Sequence, residues 1–426
     1  MKDAELQLRG LRGAGMAVFF DRNDTRAPKS RELHLFRTLK TIIAVARPRS
    51  SGLRKLMRSA DIEVIDSREA LSRMPVLRRR DIEAMRLEEP PFGGLLAPRV
   101  GALRRVHTGA PQGHARDWWS CARALAAAGA VKGDIVLNCF SYHLADAGFM
   151  VEDGAAEIGC CVIPAGAARA DAVLRQVHAF KPSIYCGGAE HLLRLLDHAA
   201  TSNFDASSIR SALVFDNHVP RPLRAEIEAR GVKLRQAYVT AEHGVIAYEA
   251  DPPDGDRGEG LFVNEGVVLE IVRPGTSERV VDGEVGEVVV TRVNNDYPLV
   301  RVSTGDLSRV VPGRSPCGRT ATRIAGWLGR AAEVTQVVDR TLTPSHALEV
   351  AARHAGVRRL QIRVERRDGR DAVLLRAEGS KSDPQLPINL KRDLFDVAGV
   401  DGEIEVVGPG VLDEAPLILD ARGKAI

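Results

Sequence analysis

Between about residue 91 and residue 300, β-branched runs alternate with amphipathic stretches, and this alternation restricts the possible folds more than any other property of the chain. The strand-like runs are DIVLNCF, CCVIPAG, PSIYCGG, RSALVFD and VKLRQAYV; the stretches of helical period are WSCARALAAAGA, DAVLRQVHAF, EHLLRLLDHAA and RPLRAEIEARG. A parallel strand pair needs a crossover of about a dozen residues or more, and a helix supplies it. The pattern therefore predicts an α/β fold, with mostly parallel sheets covered by helices on both faces. Residues 1–90 carry charged helical patterns (RELHLFRTLKTIIAVAR, ALSRMPVLRRRDIEAM) and end at EEPPFGG, so they read as a helical N-terminal layer of the large domain. Residues 91–330 form the α/β core. After Arg330 the elements become short and mixed (LQIRVERR, DAVLLRAEG, LKRDLFDVAGV, GEIEVVG), which predicts a smaller C-terminal α+β cap over 331–426. GTSERVVDGEVG reads as an exposed hairpin.

Composition narrows the function. The chain has 426 residues, 44% hydrophobic and 27% charged, enough to bury a full core in two or more domains. Sixty Lys and Arg face 56 Asp and Glu for a net charge of +4, and the basic residues are scattered, which argues against nucleic-acid binding. No apolar signal segment follows MKDAELQLRG, and no apolar run reaches the roughly eighteen residues of a spanning helix, so no membrane partner and a cytoplasmic location are expected. The six cysteines fall mostly in apolar strand-like runs and read as reduced core thiols.

One segment carries chemistry. Pro298 to Arg330, PLVRVSTGDLSRVVPGRSPCGRTATRIAGWLGR, sets Asp306 in what reads as a tight Thr-Gly-Asp turn after an apolar strand. An ionised Asp is acceptor-only with room for several donors, so it can take both hydroxyls of a ribose, while Gly305 lets the backbone pass closely beneath a ligand. Thr-Gly-Asp also occurs as an ordinary turn, and alone it decides little.

With its neighbours it decides more. Arg301 to Ser308, Pro312 to Thr320 and Arg323 to Arg330 resemble, in order, the R-x-x-T-G-D-L-[ST], P-G-x-x-P-C-G-R-T and R-I-x-x-x-x-G-R motifs of the phenylacetate-CoA ligase family of adenylate-forming enzymes. The resemblance continues upstream in PPFGGL, GCCVIPAG and AYVTAEHGVIAYE, and covers nearly the whole chain. It implies an ATP-dependent acyl-CoA ligase that joins an aromatic or other small carboxylic acid to CoA through an acyl-adenylate, using ATP, Mg²⁺ and CoA; a homodimer is allowed.

The resemblance also implies roles for single residues. Glu242 would hold Mg²⁺ and act in catalysis, since hard Mg²⁺ takes one or two carboxylates. Tyr238 would stack on adenine. Asp306 with Thr304 would hold the ribose, and Arg323 and Arg330 would pair with ribose or phosphate oxygens. Thr108, Gly109 and Gly113 would form the phosphate loop, Tyr142 and His143 would line the acid's slot, and Lys424 would be the late catalytic lysine, although alignment on LILD puts Ala415 or Pro416 near that place. The departures are equally specific. HTGAPQGHARDWW is shorter and poorer in hydroxyls than the family's phosphate loop, and Phe215 and Asp216 stand where relatives have small residues. Ala332 replaces the hinge aspartate, and Val338 and Asp339 replace the Arg-Gly or Lys-Gly pair that follows it. They motivate an alternative: a catalytically degenerate homologue acting as a nucleotide- or acyl-binding or complex partner. Relatives that bind zinc use C-P-C-G; here Ser315 takes the first position, so no structural zinc is expected.

Overall fold

A computed structural model describes residues 19–107, 110–202, 204–250, 260–380, 382–413 and 415–423. The chain divides into two compact units: residues 1–219, 226–304 and 309–326 in the first, and residues 220–225, 305–308 and 327–426 in the second.

The described strands, in chain order, are β1 (Arg105–Val106), β2 (Pro111–Gln112), β3 (Ile135–Asn138), β4 (Cys161–Pro164), β5 (Ile184–Gly187), β6 (Ser211–Val214), β7 (Lys233–Thr240), β8 (Gly244–Tyr248), β9 (Leu261–Val263), β10 (Val267–Val272), β11 (Gly286–Arg292), β12 (Val302–Ser308), β13 (Val310–Val311) and β14 (Arg323–Ile324). Nine of them make one sheet in the order β13-β14-β9-β8-β7-β6-β5-β3-β4. Its half from β4 to β7 is parallel, and the half from β7 to β13 is antiparallel. The five β-branched runs read from the sequence are the five parallel strands. The interior strands β5 and β6 are buried at every residue, as a strand covered on both faces must be. Helices supply the crossovers: Ala170–Phe180 between β4 and β5 and Ala189–Thr201 between β5 and β6 are stretches read from the sequence, Ala147–Ile158 between β3 and β4 is not among them, and WSCARALAAAGA forms the helix Ala122–Ala127 before β3.

The N-terminal layer is helical over Pro28–Ala46, Ser51–Ser59, Arg68–Ser72 and Arg79–Glu88. The pattern ALSRMPVLRRRDIEAM is two helices rather than one. Pro75 lies in the break, and there Leu77 bridges Val302 in parallel. Leu35, Phe36, Leu39, Leu53 and Met57 of the first two helices share a core cluster with Val268 of β10 and with Val300.

Arg301 is the most demanding residue of this unit. Its side chain is fully buried, and all of its donors are used. Nε and Nη2 meet both oxygens of Glu270 at 2.9 and 3.1 Å, Nη1 donates to the carbonyls of Ser72 and Met74, and Nη2 also reaches that of Ser277. One guanidinium thus joins the helical layer, β10 and the turn after β10 at the point where β12 begins. A planar, permanently charged fork is the only side chain with this geometry.

The second unit carries β15 (Thr335–Val337), β16 (Arg340–Leu342), β17 (Arg359–Arg367), β18 (Arg370–Glu378), β19 (Glu403–Val407) and β20 (Ile418–Asp420), with helices Pro344–Ala352 and Leu386–Ala398. The sheet order is β19-β18-β17-β20. Leu360, Ile362 and Val364 alternate along β17, and with Val373 and Leu375 of β18 they pack on Ala347, Val350, Leu390 and Leu394 of the helices. The β15–β16 register pairs Val337 with Arg340, which leaves a two-residue turn of Val338 and Asp339. Val338 has φ +53° and is 84% exposed. A β-branched residue in the left-handed region is strained, and glycine is what such a hairpin turn ordinarily uses.

Two stability outcomes follow. Arg301→Ala leaves Glu270 buried and unpaired and should lower the unfolding free energy by about 3–5 kcal/mol in urea titration. Val338→Gly should instead raise it, by about 1 kcal/mol, because it relieves a left-handed valine.

Candidate nucleotide site

In the first unit, Glu242 lies in the turn that joins β7 to β8, and several interactions fix the backbone of that turn. Thr240 Oγ1 accepts from the His243 backbone N–H at 3.2 Å, Arg292 Nη1 donates to the His243 carbonyl at 2.7 Å, and the Val245 N–H donates to the Trp119 carbonyl at 2.9 Å. Gly244 has φ +67°, and a Cβ there would sit 2.5 Å from the Trp119 oxygen, so no other residue fits. The Glu242 side chain is half-buried.

Beneath the turn is a buried polar cluster. Burial, and then Arg292, pushes His243 down to about 3, so it is neutral. Burial lowers Arg292 to about 10 despite the opposing pull of Asp117. Burial lifts Asp117 to about 7 against the N–H donors of Ala122 and Cys121. No sequence motif marked Arg292 or Asp117; they lie 50 and 125 residues from Glu242, apart along the chain and together only in the fold.

The other expected residues of this unit divide into those with structural work and those without a visible one. Tyr238 is 4% exposed and packs among Ile246, Leu261, Val290 and Ile324, so its ring belongs to the core in this structure. Arg323 is buried in β14, and its Nη2 donates to the Pro312 and Gly313 carbonyls at 3.1 and 3.3 Å. Thr304 Oγ1 donates to the Val288 carbonyl at 3.2 Å. Gly113 is required by packing, since a Cβ there would meet the buried Trp118 ring at 2.5 Å. Tyr142 accepts from Asn138 Nδ2 at 2.7 Å and stands edge-on to Phe149, while His143 is exposed. Burial raises the Tyr142 hydroxyl's pKa. Thr108, Gly109 and Lys424 lie outside the described residues.

Two departures from the family pattern are built into the fold. Phe215 stacks on Phe140 with ring centroids 4.4 Å apart, and the Asp216 carboxylate accepts from the Ala189 N–H at 2.7 Å, at the start of the preceding helix Ala189–Thr201.

In the second unit, Asp306 departs from the expected tight turn. It lies inside β12, bridged to Arg330, with Leu307 N–H donating to Gly329 O and Leu328 N–H to Leu307 O. The kink is confined to Gly305, whose φ is +74°; a Cβ there would touch nothing within 4 Å, so conformation and not space calls for glycine. Asp306 is 3% exposed. Its Oδ1 accepts from Trp327 Nε1 at 3.0 Å and from Arg330 Nη1 at 2.6 Å. Trp327 carried no sequence signal, because the bond spans 21 residues and links a strand to an irregular segment. Near the C-terminus, Arg422 donates to Asp371 at 2.8 Å and to Thr335 Oγ1 at 2.9 Å, which fixes the chain two residues before Lys424.

Among the described residues no group of three His, Cys, Asp or Glu is arranged to hold an ion by itself. A single half-buried carboxylate on a rigid turn, as Glu242 is, fits Mg²⁺, which keeps most of its water and substrate oxygens and takes few protein ligands. Nor is any helix among the described residues long and apolar enough to cross a membrane.

Comparison with known proteins agrees with this picture. Residues 109–295 match the family model described as AMP-binding enzyme. Phenylacetate-coenzyme A ligase of Aromatoleum evansii is 25% identical over 388 residues, 83% of this chain and 86% of the relative. The protein of the same name from Thermus thermophilus is 27% identical over 311 residues, 68% of each chain. A solved 2-hydroxyisobutyryl-CoA ligase in the postadenylation state, in complex with 2-HIB-AMP, superposes with a TM-score of 0.76 at 20% identity, covering 94% of this chain and 91% of that one. The chain thus shares the fold of that ligase, and its residues 109–295 are similar to AMP-binding enzymes. In sequence, the chain is similar to phenylacetate-coenzyme A ligases over 68–83% of its length.

The buried cluster sets a pH dependence. Asp117 titrates near 7 when folded and near its ordinary 3.8 when unfolded, so the folded chain binds the extra proton between those values. This contribution is full below the unfolded value and is lost as pH rises through the folded one, at up to about 1.4 kcal/mol per pH unit. Asp117→Asn should remove the loss, and urea titrations of both proteins at pH 5 and pH 8 measure the difference in slope.

Proposed function

We propose that this chain is an ATP-dependent acyl-CoA ligase acting on an aromatic or other small carboxylic acid. An oxygen of the acid attacks the α-phosphorus of ATP, the bond to pyrophosphate breaks, and an acyl-adenylate results. The sulfur of CoA then attacks the acyl carbon, and AMP leaves with the pair of electrons from the broken C–O bond. The observation that carries the reading is the Asp306 carboxylate, buried in β12 and braced by Trp327 and Arg330, in the motif order that marks the family.

Each residue has a physical task in this scheme. Asp306 accepts from the ribose hydroxyls, and Arg330, 47% exposed, is free to shift part of its charge toward a phosphate or ribose oxygen while keeping hold of the carboxylate. Glu242 would hold Mg²⁺, which supplies neutralisation of phosphate charge when bound. The fixed turn keeps Glu242 in place without reorganisation, which is where preorganised electrostatics gains its effect. Tyr142 and His143 flank the acid's slot, and Lys424 follows the segment fixed by Arg422. The Phe140–Phe215 stack and the Asp216 bond favour a second reading, a degenerate homologue that binds nucleotide weakly, because they fill positions where small residues admit adenine.

Pyrophosphate release with ATP, Mg²⁺ and a panel of carboxylic acids separates the two. The ligase reading expects release with at least one acid, a loss of about 10²-fold or more in kcat for Glu242→Gln, and loss of AMP binding in Asp306→Ala. No release with any acid, together with no melting shift on adding ATP, would establish the second reading instead.

A further inference from the structure

His107 and Asp146, both in the first unit, have no part in the roles assigned above. His107 is the residue that leaves β1 for the shortened phosphate loop, and Asp146 directly precedes the helix Ala147–Ile158. The imidazole Nδ1 lies 3.2 Å from Asp146 Oδ1, with the two side chains 10% and 8% exposed. Both atoms are buried, and neither completes a well-directed hydrogen bond. The imidazole ring rests 5.8 Å from the Phe149 ring, which also carries the Arg105 guanidinium at 4.2 Å and the edge of Tyr142 at 5.0 Å.

A buried carboxylate and imidazole are costly to desolvate, and a core residue pair held only for packing would be replaced by apolar groups without loss. This pair stands at the one place where the chain has shed the hydroxyls that a phosphate loop normally offers. Asp146 also senses Glu242: burial raises its carboxyl, His107 lowers it, and Glu242 raises it. The pair therefore lies within electrostatic reach of the carboxylate assigned to the metal, on the same unit.

We propose that His107 contacts the terminal phosphates of a bound nucleoside triphosphate, and that Asp146 is the positioning residue that orients its ring. This rests on the ligase reading given above. Asp146 Oδ1 sits beside Nδ1 at 3.2 Å, which fixes the protein-facing edge of the ring and leaves Nε2 as the nitrogen available to a ligand. An N–H at Nε2 donates to a phosphate oxygen. One ring N–H then does the work of the absent hydroxyls.

Isothermal titration of the full chain with ATP and with AMP, in Mg²⁺, tests the assignment through two near-isosteres. The amide nitrogen of His107→Gln stands near Nε2, and that of His107→Asn stands near Nδ1. The Asn variant should bind ATP at least about tenfold more weakly with AMP affinity unchanged, while the Gln variant should stay within about threefold of wild type for ATP. The opposite ranking would mean that the ring only satisfies Asp146, and equal losses for ATP and AMP would mean a general structural defect; either overturns the proposal. Asp146→Ala should weaken ATP binding like His107→Asn, and the double variant should be no worse than His107→Asn alone; additive losses would remove Asp146 from the positioning role. Similar melting temperatures for the Gln and Asn variants confine the comparison to folded protein. A wild-type chain that binds neither nucleotide sinks the ligase reading along with this one, whereas tight ATP binding indifferent to both His107 variants sinks this one alone.

Discussion

The bidentate pair between Arg301 and Glu270 is the interaction on which the first unit is built. Both groups are buried, so their donors and acceptors must find protein partners, and the arginine finds five oxygens on three different segments. Few arrangements of those segments satisfy that requirement at once. The pair works less as a source of net stability than as a selector, because it penalises every packing of the helical layer against β10 that leaves one of those oxygens or donors unmet. It also explains why an arginine heads the Thr-Gly-Asp motif: its work is structural, three residues before the strand turns toward chemistry.

The two carboxylates assigned to the nucleotide are prepared in opposite ways. Glu242 keeps its side chain partly in solvent and has its backbone locked by Arg292, Thr240 and the close approach of Gly244 to Trp119. Asp306 is withdrawn from solvent and has its side chain locked, by an indole N–H and a guanidinium on one oxygen. A metal ligand must give up water readily and exchange partners; a hydroxyl acceptor must hold its direction. The packing around each residue matches the demand.

Legibility in the sequence followed the range of the interactions. The five parallel strands and the crossover helices Ala170–Phe180 and Ala189–Thr201 were readable because their periodicity is local, whereas the crossover Ala147–Ile158 was not picked out. The antiparallel half of the large sheet was not read as such, since β9, β13 and β14 are only two or three residues long and β14 pairs with β9 from far along the chain. The break at Pro75 was missed because apolar spacing runs through it. At the candidate site the motif residues could be named, but not their surroundings. Asp306 read as a turn because Gly305 suggests one, while the bridge to Arg330 that turns it into strand lies beyond any local pattern. Trp327, Arg292, Asp117 and Asp146 had no motif at all, and they act through contacts that only folding creates.

The indole of Trp327 donates its only N–H to the carboxylate assigned to the ribose, whereas Trp118 and Trp119 are sealed in the core at 5% and 0% exposure. Indole emission shifts with the charge and hydrogen bonding around its nitrogen, so the chain contains a built-in optical gauge for that oxygen. Ligands, buffers and temperatures can be screened by tryptophan fluorescence on unlabelled protein, with the two core tryptophans as a constant background.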